Sequence, residues 1–194
     1  DKRPKITTWH GWEKIDNYAW LRDENWQKVM RNPSLLDPSI RHYLEAENAQ
    51  TDAVLAPLTH DISTLYSEMK SRIKEDDSSV PKRDGNWLYY RRFREGGQHP
   101  IYCRRSCDND MEQILFDGDQ AAEQTNYFKL GSFKHSPSHG LVAYAADLNG
   151  SEIFSIRFRD LSNGEDLSDI VENTNGGLVW FQGSDAILYT VLDN

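Results

Sequence analysis

The sequence predicts a mixed α and β chain. An N-terminal helical extension (1–78) is followed by the first blades of a β-propeller (79–194). Three observations carry this. Leu58, Ile62, Leu65, Tyr66, Met69 and Ile73 form an apolar stripe of period near 3.6, with charged residues such as Lys70, Arg72, Lys74 and Glu75 on the other faces. At DDSSVPKRDG (76–85) the texture changes to short aromatic and β-branched runs separated by Gly, Asn, Asp and Ser. Three of these runs resemble one another: GNWLYYRRF (85–93), HGLVAYAAD (139–147) and SDAILYTVLD (184–193). Aligning Leu88, Val142 and Leu188 gives offsets of 54 and 46. A repeat near 50 residues built of small antiparallel sheets is a propeller signature, and one blade alone cannot bury both of its faces.

The first third reads as helical. Asp16 is a candidate cap for NYAWLRDENWQKVMR, with acids early and bases late. Asp37-Pro38 places an N-cap before a proline at the first helical position, with Ile40, Tyr43, Leu44, Val54 and Leu55 following. The stripe from Leu58 to Ile73 is the third helix.

In the β half, a second strand follows each of the first two repeat strands, PIYCRRS (100–106) and EIFSIRFRD (152–160). Outer segments come next, EQILFDGD (112–119) and GEDLSD (164–169). YFKLGSFKHSPS (127–138) and GGLVWFQGS (176–184) supply short innermost strands. The chain is therefore expected to hold two blades and the first strand of a third. It is expected to be truncated relative to a closed ring, with an unpaired edge at its last strand.

Hydrophobic residues make up 38% and charged residues 27%, which describes a polar globular chain; 11% aromatic content argues against disorder. No apolar run is long enough to span a bilayer, and the basic start has no apolar stretch behind it, so no membrane partner and no uncleaved signal peptide are expected. The chain begins with Asp1 and not methionine, which leaves open the removal of a preceding segment. Two cysteines are too few for a disulfide framework and fit a reducing compartment. A cytoplasmic location is expected, with the periplasm kept as a second possibility.

Motifs with chemistry are sparse. No G-x-S-x-G elbow occurs, and no Ser, His and Asp spacing singles out a triad, so no catalytic residue is assigned. His135 and His139 share the loop KHSPSHG, but no third ligand is evident; a turn role is favoured and no metal or cofactor is expected. Cys103 reads as a small packed side chain on a strand. DLNGSE (147–152) imitates part of a calcium loop, but the full pattern is absent, and Asn149-Gly150 reads as a hairpin turn. EGGQHP (95–100) is the longer equivalent turn and lacks the following helix of a phosphate site. Seven basic residues between Lys82 and Arg105 interleave with aromatics, but strand residues alternate faces and the net charge is -9. Internal salt bridges are expected there, and nucleic acid is not expected as a partner.

DNYAWLRDENW, YLEAENAQTD, EMKSRIKEDDSSVP, YYRRFREGGQHPIYCRRS, YFKLGSFKHSPSHGLVAYAADLNGSEIFSIRFRDLSNGE and NTNGGLVWFQGSDAILYTVLDN resemble, in order, N-terminal segments of the prolyl oligopeptidase family. YYRRF, YCRRS and ENAQTD look most like its oligopeptidase B branch. The resemblance implies a serine peptidase in which a helical extension wraps against an α/β-hydrolase domain. A seven-bladed propeller caps that domain's active site and restricts access to short peptides. It implies cleavage after Lys or Arg, and a Ser, Asp and His triad outside this chain. Ser138, in SPSHG, stands where the family usually has Asp. Tyr18, Trp20 and Leu21 are expected to pack between the extension and the hydrolase domain; a purely local helical core is the alternative. The rival to the enzyme reading is a non-enzymatic interaction module that offers its open sheet edge to a partner.

Overall fold

The structure is a computed structural model that describes residues 1–191. It divides into two compact units, residues 1–73 and 74 onward.

The first unit opens with a hairpin where the sequence reads as helical. Strands β1 (Lys5–Trp9) and β2 (Trp12–Asp16) pair antiparallel around His10-Gly11, with Trp9 opposite Trp12. Both turn residues have positive φ, as a two-residue hairpin turn requires. The long helix expected after Asp16 is also replaced. Asp16 Oδ1 accepts from the Tyr18 amide, a 3-10 turn covers Ala19–Leu21, and helix α1 is only Trp26–Arg31. The reason is local: Asp16 and Asp23 each bind a backbone amide two residues on, and so compete with helix continuation.

Helix α2 (Pro38–Leu55) starts as its sequence dictates. Asp37 Oδ1 accepts from the Ser39 and Ile40 amides, and Pro38 occupies the first turn. Helix α3 (Thr59–Ser71) follows after a 3-10 turn at Ala56–Leu58. Its stripe is not buried: Leu58, Ile62, Leu65, Tyr66, Met69 and Ile73 are 47–66% exposed. Ile40 is the one buried hydrophobic residue of this unit among the described residues.

The second unit contains two antiparallel sheets. Strands β3 (Lys82–Asp84), β4 (Trp87–Arg92), β5 (Ile101–Ser106) and β6 (Glu112–Asp117) pair in chain order as the first blade. A short helix, α4 (Gly118–Ala122), follows. Strands β7 (Lys129–His135), β8 (Leu141–Asp147), β9 (Phe154–Asp160), β10 (Asp166–Trp180) and β11 (Ile187–Val191) form a five-stranded sheet, again in chain order. Strand β10 serves twice. Asp166 to Thr174 pairs with β9; from Thr174 to Trp180 it pairs with β11, and the register shifts in between, where Gly176 lies at φ +85°. The last strand is thus paired on one side, and its other edge carries no strand among the described residues. Leu192 and Asp193, the end of the third repeat run, and Asn194 lie outside the described residues.

The ladder corrects the repeat register by one residue. The turn bonds Ser136 N–H to Leu141 O and His139 N–H to Ser136 O recur as Phe181 N–H to Ala186 O and Ser184 N–H to Phe181 O, an offset of 45. Val142 therefore corresponds to Ile187, and Leu188 points outward at 61% exposure. A one-residue slip exchanges the two faces of a strand, so this register decides which side chains are core.

Strand β8 shows why blades need neighbours. Val142 and Tyr144 join Leu115, Phe116 and Leu161 in a core facing the first blade. Ala143 and Ala145 join Phe154, Ile156 and Leu178 on the opposite face. Each fully buried aliphatic side chain of the size of Val142 or Ile156 contributes about 1.5–3 kcal/mol.

Candidate functional site

Two clusters carry the chemistry of the described residues, one in each unit. In the first unit, the Trp20 ring meets Tyr43 edge-on at 5.3 Å, and the Arg3 guanidinium sits 4.0 Å above it. Tyr18 lies 6.5 Å from Tyr43, centroid to centroid. The Leu21 amide donates to Tyr18 O at 3.0 Å, which closes the 3-10 turn that presents all three residues. Trp20 lines a cleft of about 760 Å³ with Arg3, Asp23, Trp26 and Ile40, and its buried Nε1 has no hydrogen-bond partner among the described residues.

The second cluster joins the two blades. Tyr89 on β4 stacks flat on His135 at the end of β7, with centroids 3.8 Å apart and planes 4° apart. Its hydroxyl lies 2.9 Å from His139 Nδ1 in the β7–β8 turn. His135 Nε2 contacts Asp84 Oδ2, at the end of β3, at 2.9 Å; that contact holds the Asp84 carboxyl below its usual range. Beneath them Arg104 on β5 is buried. Its guanidinium donates to His139 O at 2.5 Å and to Gln113 Oε1 at 2.8 Å, and lies 3.9 Å over the Trp87 ring. The third partner that the sequence does not single out for His135 and His139 is Asp84, 51 residues before His135. One ligand atom from each of the three lies within 4.8 Å of the others. The only sequence signal for Asp84 is its place at the first turn of its repeat, the turn that corresponds to the one holding His139.

The remaining motifs are structural. The buried Asp147 carboxylate accepts from the amides of Asn149, Gly150 and Glu152 at 2.7–3.0 Å, so DLNGSE organises the β8–β9 hairpin by itself. In EGGQHP, the Gln98 and His99 amides donate to Asp119 Oδ1. Arg92 pairs with Glu112 at 2.8 Å, Arg94 with Asp117 and Arg105 with Asp110, so much of the basic run is spent inside the blade. Glu112 is held at about 2, chiefly by its bond to Arg92 and also by that from Tyr90. Cys103 and Cys107 are free thiols; Cys103 is 1% exposed, and burial pushes it up to about 12. Among the described residues no helix is long and apolar enough to cross a membrane.

Comparison with known proteins places these features. The dipeptidyl aminopeptidase BI of Pseudoxanthomonas mexicana is 38% identical across 95% of this chain, and protease 2 of Moraxella lacunata is 29% identical across 95%. The chain spans about a quarter of the length of these curated relatives, 26% of each. Oligopeptidase B from Trypanosoma brucei, in a closed form with covalently bound antipain, superposes with a TM-score of 0.82 at 27% identity, over 99% of this chain and 28% of that one. The family model described as prolyl oligopeptidase, N-terminal beta-propeller domain, matches residues 1–194. The four-stranded and five-stranded antiparallel sheets are thus those of a known architecture, and the chain belongs to the prolyl oligopeptidase family, in its N-terminal β-propeller domain.

Proposed function

We propose that this chain is the extension and propeller part of a larger serine oligopeptidase that hydrolyses short peptides after Lys or Arg. The observation that carries this reading is the family match over the whole chain, joined to the 0.82 TM-score with an oligopeptidase B. The exposed surface supports it. The α3 stripe and the free edge of β11 leave apolar side chains and backbone polar groups uncovered, and further polypeptide of the parent would cover both. In this reading Tyr18, Trp20 and Leu21 face the hydrolase domain, and the open Trp20 Nε1 finds its acceptor there. The chain contributes gating and packing. Acyl transfer by an activated serine and an oxyanion hole takes place on the hydrolase domain.

A second reading of specificity has its own support: the 38% identical relative is a dipeptidyl aminopeptidase. The two readings differ at the substrate's amino terminus. Assay of the complete polypeptide on N-blocked and N-free chromogenic peptides, with Arg, Lys or Pro before the scissile bond, separates them. Turnover of N-blocked Arg and Lys peptides supports the proposal. Strict dependence on a free amine two residues before the bond supports the aminopeptidase. Inhibitor-sensitive turnover by the 194-residue chain alone would overturn the gating role.

A further inference from the structure

We propose that Asp84, His135 and His139 form a binding site for one divalent ion of the zinc class, bridging the first two blades. The donors come from three segments: the end of β3, the end of β7 and the β7–β8 turn. His135 Nε2 and Asp84 Oδ2 stand 2.9 Å apart. Zinc bonds of about 2.0–2.2 Å to N and O place two tetrahedral ligands on one ion roughly 3.3–3.6 Å apart, so this hydrogen-bonded pair opens by about 0.5 Å to chelate. Binding removes the hydrogen from this contact to solvent, and neutral His135 then carries its one N–H on Nδ1. His139 completes a set whose donor atoms lie within 4.8 Å of one another, and closing it takes a side-chain movement of about 1–1.5 Å.

The imidazoles are held by their surroundings. Tyr89 stacks on His135 and reaches His139 Nδ1 with its hydroxyl. When Nδ1–H donates to that oxygen, the lone pair of His139 lies on Nε2, the tautomer a ligand needs. Nε2 faces Gly85, the neighbour of Asp84; a Cβ on Gly85 would stand 3.1 Å from it, and Gly85 itself lies at φ +56°. His139 sits at φ +62°, fixed by its amide bond to Ser136 O and by Arg104 on its carbonyl. Asp84 and His135 line an open cleft of about 350 Å³, which gives an ion a way in and leaves room for water as the fourth ligand. Two imidazoles and one carboxylate suit zinc, cobalt or nickel better than calcium or magnesium, which prefer all-oxygen sets. Lys134 lines the same cleft and opposes the cation, so the site is weaker than a closed structural zinc site.

The test is titration of ZnCl2 into the untagged, chelator-treated polypeptide, followed by calorimetry, with CoCl2 and its visible d–d absorption as a second probe. Far-UV dichroism checks the fold of each variant. One equivalent per site is expected, with a cobalt spectrum of four-coordinate intensity. Asp84→Asn preserves the hydrogen bond to His135 and so the fold, and is expected to weaken zinc at least 10-fold, as is His139→Gln. Tyr89→Phe leaves all three ligands in place and is expected to weaken it about 10-fold, the usual scale for a ligand-orienting partner. His60→Gln, in the N-terminal unit, is expected to change nothing. Absence of zinc binding at millimolar metal, or equal affinity in folded Asp84→Asn and His139→Gln proteins, would overturn the proposal.

Discussion

Replacing Arg104 by alanine tests whether the blade junction depends on one buried cation. Arg104 is 5% exposed and donates to His139 O and Gln113 Oε1, with Tyr89 Oη at 3.4 Å and the Trp87 ring beneath it. Alanine leaves a carbonyl and an amide oxygen without their donor. Hydrogen bonds to a charged group are worth about 1.5–3 kcal/mol each, and a partly desolvated cation–π contact about 1 kcal/mol. Against this, the variant regains about 2 kcal/mol of arginine side-chain entropy. The net loss is about 3 kcal/mol. With a urea dependence near 2 kcal/mol per molar, the midpoint of the propeller transition falls by about 1.5 M. Arg104→Lys keeps the charge but loses the planar fork and the stack, so it falls between the two. Equilibrium urea unfolding followed by tryptophan fluorescence measures all three proteins. A midpoint shift under about 0.3 M for Arg104→Ala would show that the junction is held by its apolar contacts alone.

Ile156, fully buried between strands β8 and β10, is expected to cost about 3 kcal/mol on truncation to alanine, read in the same urea experiment; a value below about 1 kcal/mol would mean that the core collapses around the cavity. Glu112 has a folded-state value near 2, below its ordinary 4.5, so its contribution is complete above about pH 4.5 and is lost as the pH falls toward 2. Glu112→Gln should flatten the acid limb of stability in that window, and an unchanged limb would contradict the assignment. An aromatic disulfide reagent should modify exposed Cys107 at once and buried Cys103 only on unfolding, because the Cys103 thiol is both shielded and raised to about 12. Equal rates would place Cys103 at the surface.

How much of this was legible depends on the range of the interaction. Helices α2 and α3 follow from a cap, a proline and a periodic stripe, all within one segment. The change from helices to short strands and the repeat near 50 residues are also local patterns. The first hairpin is local too: His10-Gly11 lies between strand-like runs, and both residues take the positive φ that a two-residue turn needs. Register was less secure. Val142 and Ile187 share a place only once the turn bonds are formed, since neighbouring apolar residues in AILYT fit either alignment. The exposure of the α3 stripe was not legible, because periodicity marks a face without saying what covers it.

The sequence by itself determined helices α2 and α3, the change to short strands and the repetition of small sheets, because caps, turns and hydrophobic periods act over a few residues. Only the tertiary structure decided that Asp84 meets His135, that Tyr89 lies between two imidazoles, and that Arg104 fastens the turn holding His139. Those contacts join residues 35–51 positions apart, and no local rule couples them. They exist because a blade must bury both faces, and stacking one sheet on the next sets the turns of neighbouring blades side by side.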